Sequence, residues 1–382
     1  MTEVPEILGT CDARFGAVRE ALAGNFRDHG ELGAAVAIAV DGELVVDIWA
    51  GWIDAARTRP WERDTIVAVF SVGKAMAAAC VLLLVERGQV ELDAPVARYW
   101  PAFAAHGKDA VTVRALLAHR AGLPAIRAAV PEDAIYEWST MTGLLAAEEP
   151  WWEPDSAHGY HVNTLGFLAG EVVRRVTGES LGTFFRREVA APLDADFHFG
   201  FGPEHDHRVA EYTFGDEAEP GSQPDPRRRV PDPERQFLLG RVYLNPPGLS
   251  GIGTVNTRAW RAAEIPSANA HATARAVAHL FGALGERLLA PETLAEATAE
   301  ASAGPDFVLG RPSRFGLGFQ LTQPERPLGP NARTFGHFGA GGSLGFADPD
   351  AGLGFGYTMN RSGPRWQNPR NRALIDAVYA SL

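Results

Sequence analysis

The stretch FSVGKAMAAACVLLLVERG (residues 70–88) contains a nearly continuous apolar run that ends at Gly88, and this pattern predicts a buried, central helix. Ser71 stands at its start, and Lys74 follows one helical turn later on the same face. A serine hydroxyl needs an adjacent base to become a nucleophile, and a lysine can be that base where burial lowers its pKa. The S-x-x-K spacing therefore indicates a candidate nucleophile and base, although an N-cap serine before an ordinary helix also accounts for these four residues in isolation.

Strand-like segments lie outward from this helix, near both ends of the chain. Two apolar runs at 34–40 and 43–50 flank Asp41-Gly42, a pair that tolerates the positive φ angles of a tight hairpin turn. Near the C terminus, FGHFGAGG and GLGFGYTMN are also strand-like. Helical spacing occurs at 12–28, 111–120, 134–147, 163–177, 179–189, 270–285 and 366–381. Strands at both ends with helices between them predict an α+β fold.

The predicted architecture has two parts. Residues 1–95 and 255–382 would form a discontinuous α/β sandwich region, and residues 96–254 a helical region. Residues 200–250 are polar and proline-rich, so we predict a long surface loop there. Its arginine run at 227–229 lies among acidic residues and prolines and indicates a solvated face.

Composition narrows the classes of function. The 382 residues carry a net charge of −12, which disfavours nucleic acid or an anionic membrane as the partner. The two cysteines are too few for a disulfide framework, and the longest apolar run, residues 75–85, is too short to span a bilayer. The N terminus shows no secretory signal pattern. We therefore expect a soluble, cytoplasmic globular protein, with its oligomeric state undetermined.

Five segments occur in an order that resembles a known superfamily. They are FSVGK (70–74), LDAPVARYWPAF (92–103), LLAHRAGLP (116–124), GYHVNTLGFLAGEVVRRVTGESL (159–181) and GHFGAGGSLGFADPDAGLGFGYTMN (336–360). Together they resemble the serine β-lactamase and penicillin-binding-protein-like superfamily, most closely its family VIII carboxylesterases. The resemblance implies a β-lactamase-like fold, with a mainly antiparallel sheet flanked by helices, a helical region, and an active site in the cleft between them.

The resemblance also implies a role for a tyrosine far from the helix. Tyr160 matches the tyrosine of the family's second motif, which would share the proton of Ser71 with Lys74. A packing tyrosine at a loop-helix junction is the alternative. The asparagine that lactamases carry two places later is replaced here by Val162, with Asn163 one step further. This departure disfavours efficient β-lactam hydrolysis and favours simple esters.

The family's third motif, Lys-Thr-Gly, corresponds here to His337-Phe338-Gly339. The permanent cation that would bind a substrate carboxylate is therefore absent, although His337 could supply a donor or a partial positive charge. Gly339 would let the backbone approach the ligand. By resemblance, the N–H groups of Ala340 and Ser71 form the oxyanion hole. A glycine-rich hairpin without substrate contact is the alternative.

Two aromatic residues near Tyr160 are further candidates for substrate binding. Trp152 could line an acyl pocket, although a tryptophan is more often a core anchor. His161 could contact substrate or orient Tyr160 by a hydrogen bond.

Two other patterns suggest chemistry that we do not expect. Ser343 lies in a G-x-S-x-G match, but a strand-like segment follows it and no later histidine could complete a triad. The histidine pairs at 205 and 207 and at 158 and 161 lack a third ligand at usable spacing. We therefore expect Ser343 to be a turn serine, and we expect no metal or other cofactor.

The predicted function is a serine carboxylesterase that cleaves small carboxylic esters through a Ser71 acyl-enzyme. A β-lactamase, a D-amino-acid peptidase or an acyltransferase could use the same residues. A non-catalytic ligand-binding protein is the alternative from another class, but a pure binder would not require Ser71, Lys74 and Tyr160 together.

Overall fold

The computed structural model describes residues 4–215, 232–364 and 366–382. Its strands are β1 (Leu8–Cys11), β2 (Gly33–Val40), β3 (Glu43–Gly51), β4 (Val67–Ala68), β5 (Phe197–His198), β6 (His271–Ala272), β7 (Ser302–Pro305), β8 (Pro312–Phe315), β9 (Gln320–Leu321), β10 (Phe335–Phe338), β11 (Leu344–Asp348) and β12 (Leu353–Met359). Its α-helices are α1 (Gly16–Asp28), α2 (Val72–Glu86), α3 (Val113–Leu117), α4 (Trp138–Ala147), α5 (Thr164–Thr177), α6 (Leu181–Phe185), α7 (Pro233–Leu244), α8 (Arg258–Ala262), α9 (Ala274–Ala283), α10 (Pro291–Thr298) and α11 (Pro369–Tyr379).

Within the described part of the chain, nine strands form one antiparallel sheet in the order β1-β3-β2-β12-β11-β10-β9-β8-β7. The hairpin β2–β3 turns at Asp41 and Gly42, whose φ angles are 50° and 79°. The Asp-Gly pair predicted this left-handed turn. β12 pairs with β2 and so joins the two ends of the chain at the middle of the sheet. The predicted α+β class is confirmed.

Helices cover both faces of this sheet. Helix α9 packs on one face, where a Cβ at Gly356 would lie only 2.1 Å from a carbonyl oxygen of the helix. Side chains alternate along a strand, so Tyr357 points to the opposite face. There its hydroxyl contacts Glu31, and Arg370 of α11 pairs with the same carboxylate at 2.7 Å. Helix α1 packs against α11, so the terminal helices lie on this second side.

Helix α2 lies in the interior and positions the site. Every residue from Val72 to Leu84 is buried, as the apolar run predicted. The helix packs against α5, α6 and β10. The N-terminal end of α2 is therefore held by elements from both the sheet and the helical part.

Two local predictions need correction. The helix predicted at 111–120 is confined to α3, because His119 has a left-handed φ of 62° that ends the helical path. The predicted loop at 200–250 is wrong for α7, where Asp232 caps the helix and Pro233 occupies its first position. A proline is compatible with that position, so a proline-rich composition did not exclude a helix.

The other predictions concern the division of the chain into two parts and the arginine run. The division into residues 1–95 with 255–382 and residues 96–254 stays a prediction, and the arginine run at 227–229 lies outside the described residues. Among the described helices, none is long and apolar enough to cross a membrane.

Candidate active site

Ser71 and Lys74 lie in contact at the start of α2. The Ser71 Oγ and Lys74 Nζ atoms are 2.8 Å apart, which is a hydrogen-bond distance. Residues three apart share a face of a helix, and this spacing produces the contact. Phe70, directly before Ser71, has a φ of 48°, which is costly for a bulky residue. The serine is therefore presented at the helix N terminus by a strained backbone turn.

A backbone carbonyl completes the surroundings of the amine. The Ser267 carbonyl oxygen lies 3.0 Å from Lys74 Nζ and 3.4 Å from Ser71 Oγ. Two glycines allow this loop to come so close, because a Cβ at Gly73 would lie 2.4 Å from a carbonyl of the loop and one at Gly166 would lie 2.5 Å from Ser267 N. The sequence analysis missed Ser267, since a main-chain acceptor has no residue-type signature.

The electrostatic environment of Lys74 favours a neutral amine. The side chain is fully buried, and this burial lowers its pKa well below the ordinary lysine value. A neutral amine keeps two protons and one lone pair. It can donate a proton to the Ser267 carbonyl while its lone pair accepts the proton of Ser71. The arrangement can therefore deprotonate the serine.

Tyr160 is packed beside this pair in an aromatic cage. Its ring stacks on Phe315 with centroids 5.5 Å apart and meets Trp366 edge-on at 5.1 Å, and Lys74 Nζ lies 5.0 Å from its centroid. The Tyr160 hydroxyl is buried and has no hydrogen-bond partner among the described residues. Burial raises the pKa of this phenol. The nearby Ser71 hydroxyl lowers it in part, although the two hydroxyl groups do not meet the geometry of a hydrogen bond. The phenol is therefore protonated at neutral pH.

His337 contributes a neutral ring from β10. Its Nδ1 atom lies 2.8 Å from the Phe338 carbonyl oxygen, which can only accept, so we place the ring proton on Nδ1. The Nε2 atom is buried without a partner among the described residues. Burial, with a smaller effect of Lys74, lowers the His337 pKa to about 3. The ring therefore presents an acceptor, not the donor or partial positive charge that the sequence suggested.

Gly339 lies against the segment that leads into Ser71. A Cβ at Gly339 would lie 2.4 Å from the Val69 carbonyl oxygen and 2.0 Å from Ser343 Oγ, so a larger residue does not fit. Ala340 begins a 3₁₀ turn and Ser71 precedes α2, and N–H groups at such positions have no intrahelical partner. The close approach brings the two segments together, and their N–H groups stay our prediction for the oxyanion hole.

Comparison with known proteins gives the family. A sequence model described as Beta-lactamase matches residues 17–380. The chain belongs to the beta-lactamase family. It is 37% identical over 367 residues to the esterase/beta-lactamase LipL of Mycobacterium tuberculosis, and the match covers 93% of this chain and 83% of the relative. It is 28% identical over 388 residues to the esterase EstB of Burkholderia gladioli, covering 93% and 92%.

Solved structures agree with this beta-lactamase family assignment. A family VIII carboxylesterase superposes with a TM-score of 0.89 at 41% identity, covering 99% of this chain and 100% of that one. A penicillin-binding protein homologue from Caulobacter crescentus has a TM-score of 0.89 at 40% identity, with the same coverage. The predicted superfamily and β-lactamase-like fold are confirmed, and the chain is an enzyme of the serine hydrolase class.

In this beta-lactamase family chain, His161 holds the loop that carries Tyr160. Its Nδ1 atom lies 2.7 Å from the Gly159 carbonyl oxygen, and its Nε2 accepts from Leu123 N at 3.0 Å. Both ring nitrogens are thus engaged by backbone, which favours the orienting role over substrate binding. Trp152 meets the His161 ring at 5.9 Å, and its indole N–H is buried without a partner among the described residues. Substrate binding by Trp152 stays a prediction.

Asn163 does not replace the missing lactamase asparagine. Its Nδ2 atom donates to the Val242 carbonyl oxygen at 2.8 Å and to Ser250 Oγ at 2.9 Å. The amide is therefore committed to packing against α7, and Val162 occupies the position nearer Tyr160.

Ser343 is a buried structural serine. Its Oγ donates to the Val69 carbonyl oxygen at 3.1 Å, and strand β11 follows it directly. The strand-turn-helix setting that a G-x-S-x-G nucleophile needs is not present at this position.

Stability of this beta-lactamase family enzyme should fall steeply in acid. Burial lowers the pKa of His161 to about 4 and of His271 and His337 to about 3, whereas unfolded histidine has a pKa of about 6.5. As the pH falls from about 6.5 toward these lowered pKa values, the unfolded state binds more protons than the folded state. The contribution is fully present above about pH 6.5, and the free energy of unfolding should decrease by about 4 kcal/mol per pH unit between about pH 6 and 4.

Urea unfolding at successive pH values measures this slope. His271→Asn should reduce it by about 1.4 kcal/mol per pH unit. His106→Asn is the matched control, because His106 is exposed and its φ of 56° suits asparagine. An unchanged slope in His271→Asn would contradict the argument.

Proposed function

We propose that this chain is a carboxylesterase that cleaves small carboxylic esters through a covalent acyl-enzyme on Ser71. The observation that carries the proposal is the 2.8 Å contact between Ser71 Oγ and the buried Lys74 amine. The named esterase relatives support an ester as substrate. The proposed mechanism uses side chains and backbone groups of this chain, and water is the nucleophile in deacylation.

In the acylation step, the Ser71 proton passes to the lone pair of Lys74 while Oγ bonds to the ester carbonyl carbon. The carbonyl electron pair moves onto its oxygen, and the N–H groups of Ser71 and Ala340 would stabilise the oxyanion by about 3 kcal/mol each. The new ammonium lies near the face of the Tyr160 ring, where cation–π attraction stabilises it.

The leaving group is protonated as the intermediate collapses. Tyr160 gives its hydroxyl proton to the departing alkoxide oxygen and receives a proton from the Lys74 ammonium, whose burial favours this release. The bond between the carbonyl carbon and the alcohol oxygen breaks, and the alcohol leaves. In deacylation, water gives a proton to neutral Lys74 and attacks the acyl carbon. Ser71 Oγ then leaves with a proton from the Lys74–Tyr160 pair, and the acid is released.

Two features favour esters over β-lactams. Penicillins and cephalosporins carry a carboxylate, which a cation in the third motif would recognise. His337 is neutral at this position and offers an acceptor. In addition, the Asn163 amide is engaged elsewhere. The carboxylate of a β-lactam would therefore gain little binding energy at His337, whereas a neutral ester needs no cation there.

Trp152 and Phe307 offer an apolar wall beside Tyr160. Their rings lie 5.4 Å apart, and a Cβ at Gly159 would touch both side chains. We propose that this wall receives the acyl group. Because Phe307 is 53% exposed, a small apolar group could reach it from solvent.

The second candidate function is that of a β-lactamase, which the name of the LipL relative favours. An acyltransferase would use the same acyl-enzyme with another nucleophile in the second step. A non-catalytic binder is disfavoured, because ligand binding alone does not need a buried neutral amine in contact with a serine.

The test compares turnover of p-nitrophenyl butyrate with that of a chromogenic cephalosporin. We expect the ester to have much the larger kcat/KM and a fluorophosphonate to label the protein stoichiometrically. A larger kcat/KM for the cephalosporin would favour the β-lactamase. Absence of turnover and of labelling would favour the binder.

A cytoplasmic location is also part of the proposal. Cys11 and Cys80 are both free thiols, which suits a reducing compartment. Fractionation of cells that express the full chain tests it, and recovery in the medium or periplasm would contradict it.

A further inference from the structure

A buried carboxylate lies directly behind Tyr160, on the turn between β7 and β8. The Asp306 side chain is fully buried, and both of its oxygens lie 3.1 Å from Tyr160 N. Oδ1 also accepts from the N–H groups of Val308 and Leu309 at 2.9 and 2.8 Å, and Oδ2 accepts from Ser313 Oγ at 2.8 Å. Every one of these neighbours is a donor, which is the arrangement that a carboxylate anion needs.

The same turn is fastened to the chain on the other side of Tyr160. His158 Nε2 lies 2.9 Å from Ser313 Oγ, and because Ser313 gives its proton to Asp306, we place a proton on Nε2. Phe307 N donates to the His158 carbonyl oxygen at 3.1 Å. The segment that carries Tyr160 lies outside the described helices and strands. The Asp306 carboxylate, on the turn after β7, therefore holds it from the side of the sheet.

We propose that Asp306 is a positioning residue for the reaction, whose carboxylate fixes the Tyr160 backbone so that the phenol faces Ser71 and Lys74. This inference rests on the proposed function and adds a residue that has no place in the S-x-x-K, tyrosine or glycine-rich motifs. It acts through Tyr160 and does not touch the reacting atoms.

The charge of Asp306 also acts on the phenol of Tyr160. The titratable groups around the phenol are Lys74 of α2, His119 after α3, His337 of β10, Tyr243 of α7 and Asp306. Burial lowers the pKa of Lys74 and of both histidines, which favours the neutral form of each. Burial is the main cause of the raised Tyr160 pKa, and the negative charge of Asp306 raises it further. Because burial is the main cause, the phenol stays protonated without that charge, and the test therefore rests on kcat and KM.

The experiment measures kcat and KM of p-nitrophenyl ester hydrolysis for Asp306→Asn and Asp306→Glu. Active-site titration with a fluorophosphonate corrects for misfolded protein. Asp306→Asn should lower kcat by about 10²-fold with little change in KM, because the phenol is misplaced. Asp306→Glu keeps the carboxylate but moves it away from Tyr160 N, so kcat should also fall with little change in KM.

Glu171→Gln is the matched control. Glu171 is also a fully buried carboxylate, held by Arg174, Arg175 and Trp138. Its replacement should lower stability and leave kcat unchanged. A wild-type kcat per titrated site in Asp306→Asn would overturn the proposal.

Two further outcomes keep the test decisive. Should Asp306→Asn fail to fold, a wild-type kcat in Asp306→Glu would overturn the proposal, and a lowered kcat would support it. Failure of the proposed function is a separate result, since the wild-type protein would then neither hydrolyse the ester nor react with the fluorophosphonate.

Discussion

Ser71→Ala is expected to lower kcat/KM for a p-nitrophenyl ester by about 10⁴-fold or more, as removal of a covalent nucleophile does in serine hydrolases. The substitution removes one oxygen at a half-buried helix start, so the fold should be retained. The oxyanion hole and the substrate wall remain, and a small residual rate is expected from them. Steady-state kinetics on purified variant and wild type measure the loss.

Ser343→Ala is the control for this loss. It removes the serine of the G-x-S-x-G match, whose hydroxyl bonds to Val69 and not to a base. This variant should stay within about tenfold of wild-type activity. A fluorophosphonate adduct should map by mass spectrometry to a peptide that contains Ser71. An adduct on Ser343, or near-normal turnover by Ser71→Ala, would contradict the assignment.

Lys74→Met should lower kcat/KM by about 10²-fold to 10⁴-fold, which is the range of a general base. The same variant should be at least as stable as the wild type at neutral pH. Burial lowers the pKa of Lys74, so between that lowered pKa and about pH 10.4 the unfolded wild-type chain binds one more proton than the folded chain. Folding of the wild type must release that proton, whereas the methionine variant has none to release. Its advantage should shrink as the pH rises toward that value.

Lys74→Arg separates the base from the positive charge. A guanidinium stays protonated, so this variant should be as inactive as Lys74→Met although it keeps hydrogen-bond donors. Lys108→Arg is the control, because Lys108 is also buried and bonds only backbone carbonyls of Ala105 and Glu148 among the contacts described. Activity in Lys74→Arg close to wild type, or an unfolded Lys74→Met, would contradict the role assigned to the amine.

The features of this enzyme that could be predicted from sequence are those that a local sequence pattern specifies. The apolar run after Ser71 predicted the buried helix α2, and Asp41-Gly42 predicted the hairpin turn, because each pattern specifies its structure within a few residues. The Ser71–Lys74 contact followed from helical spacing alone. The superfamily followed from five ordered segments, which no single motif could have given.

The parts that sequence missed depend on contacts between distant residues. The Asp306 carboxylate meets Tyr160 across 146 positions, and the Ser267 carbonyl meets Lys74 across 193. Nothing in either local sequence marks these partners. The neutral state of His337 likewise depends on burial and on one bond to Phe338, so residue type alone suggested a donor.

The measurement that bears most directly on the account is the titration of Lys74 itself. The sequence has only two lysines, Lys74 and Lys108, so the signals of isotopically labelled lysine can be assigned by NMR with the Lys74→Arg variant. We predict that the Lys74 signal titrates well below the ordinary lysine pKa and is that of a neutral amine at the pH where ester acylation is fast. A Lys74 signal that titrates at the ordinary value, with the ammonium intact during fast acylation, would contradict the account.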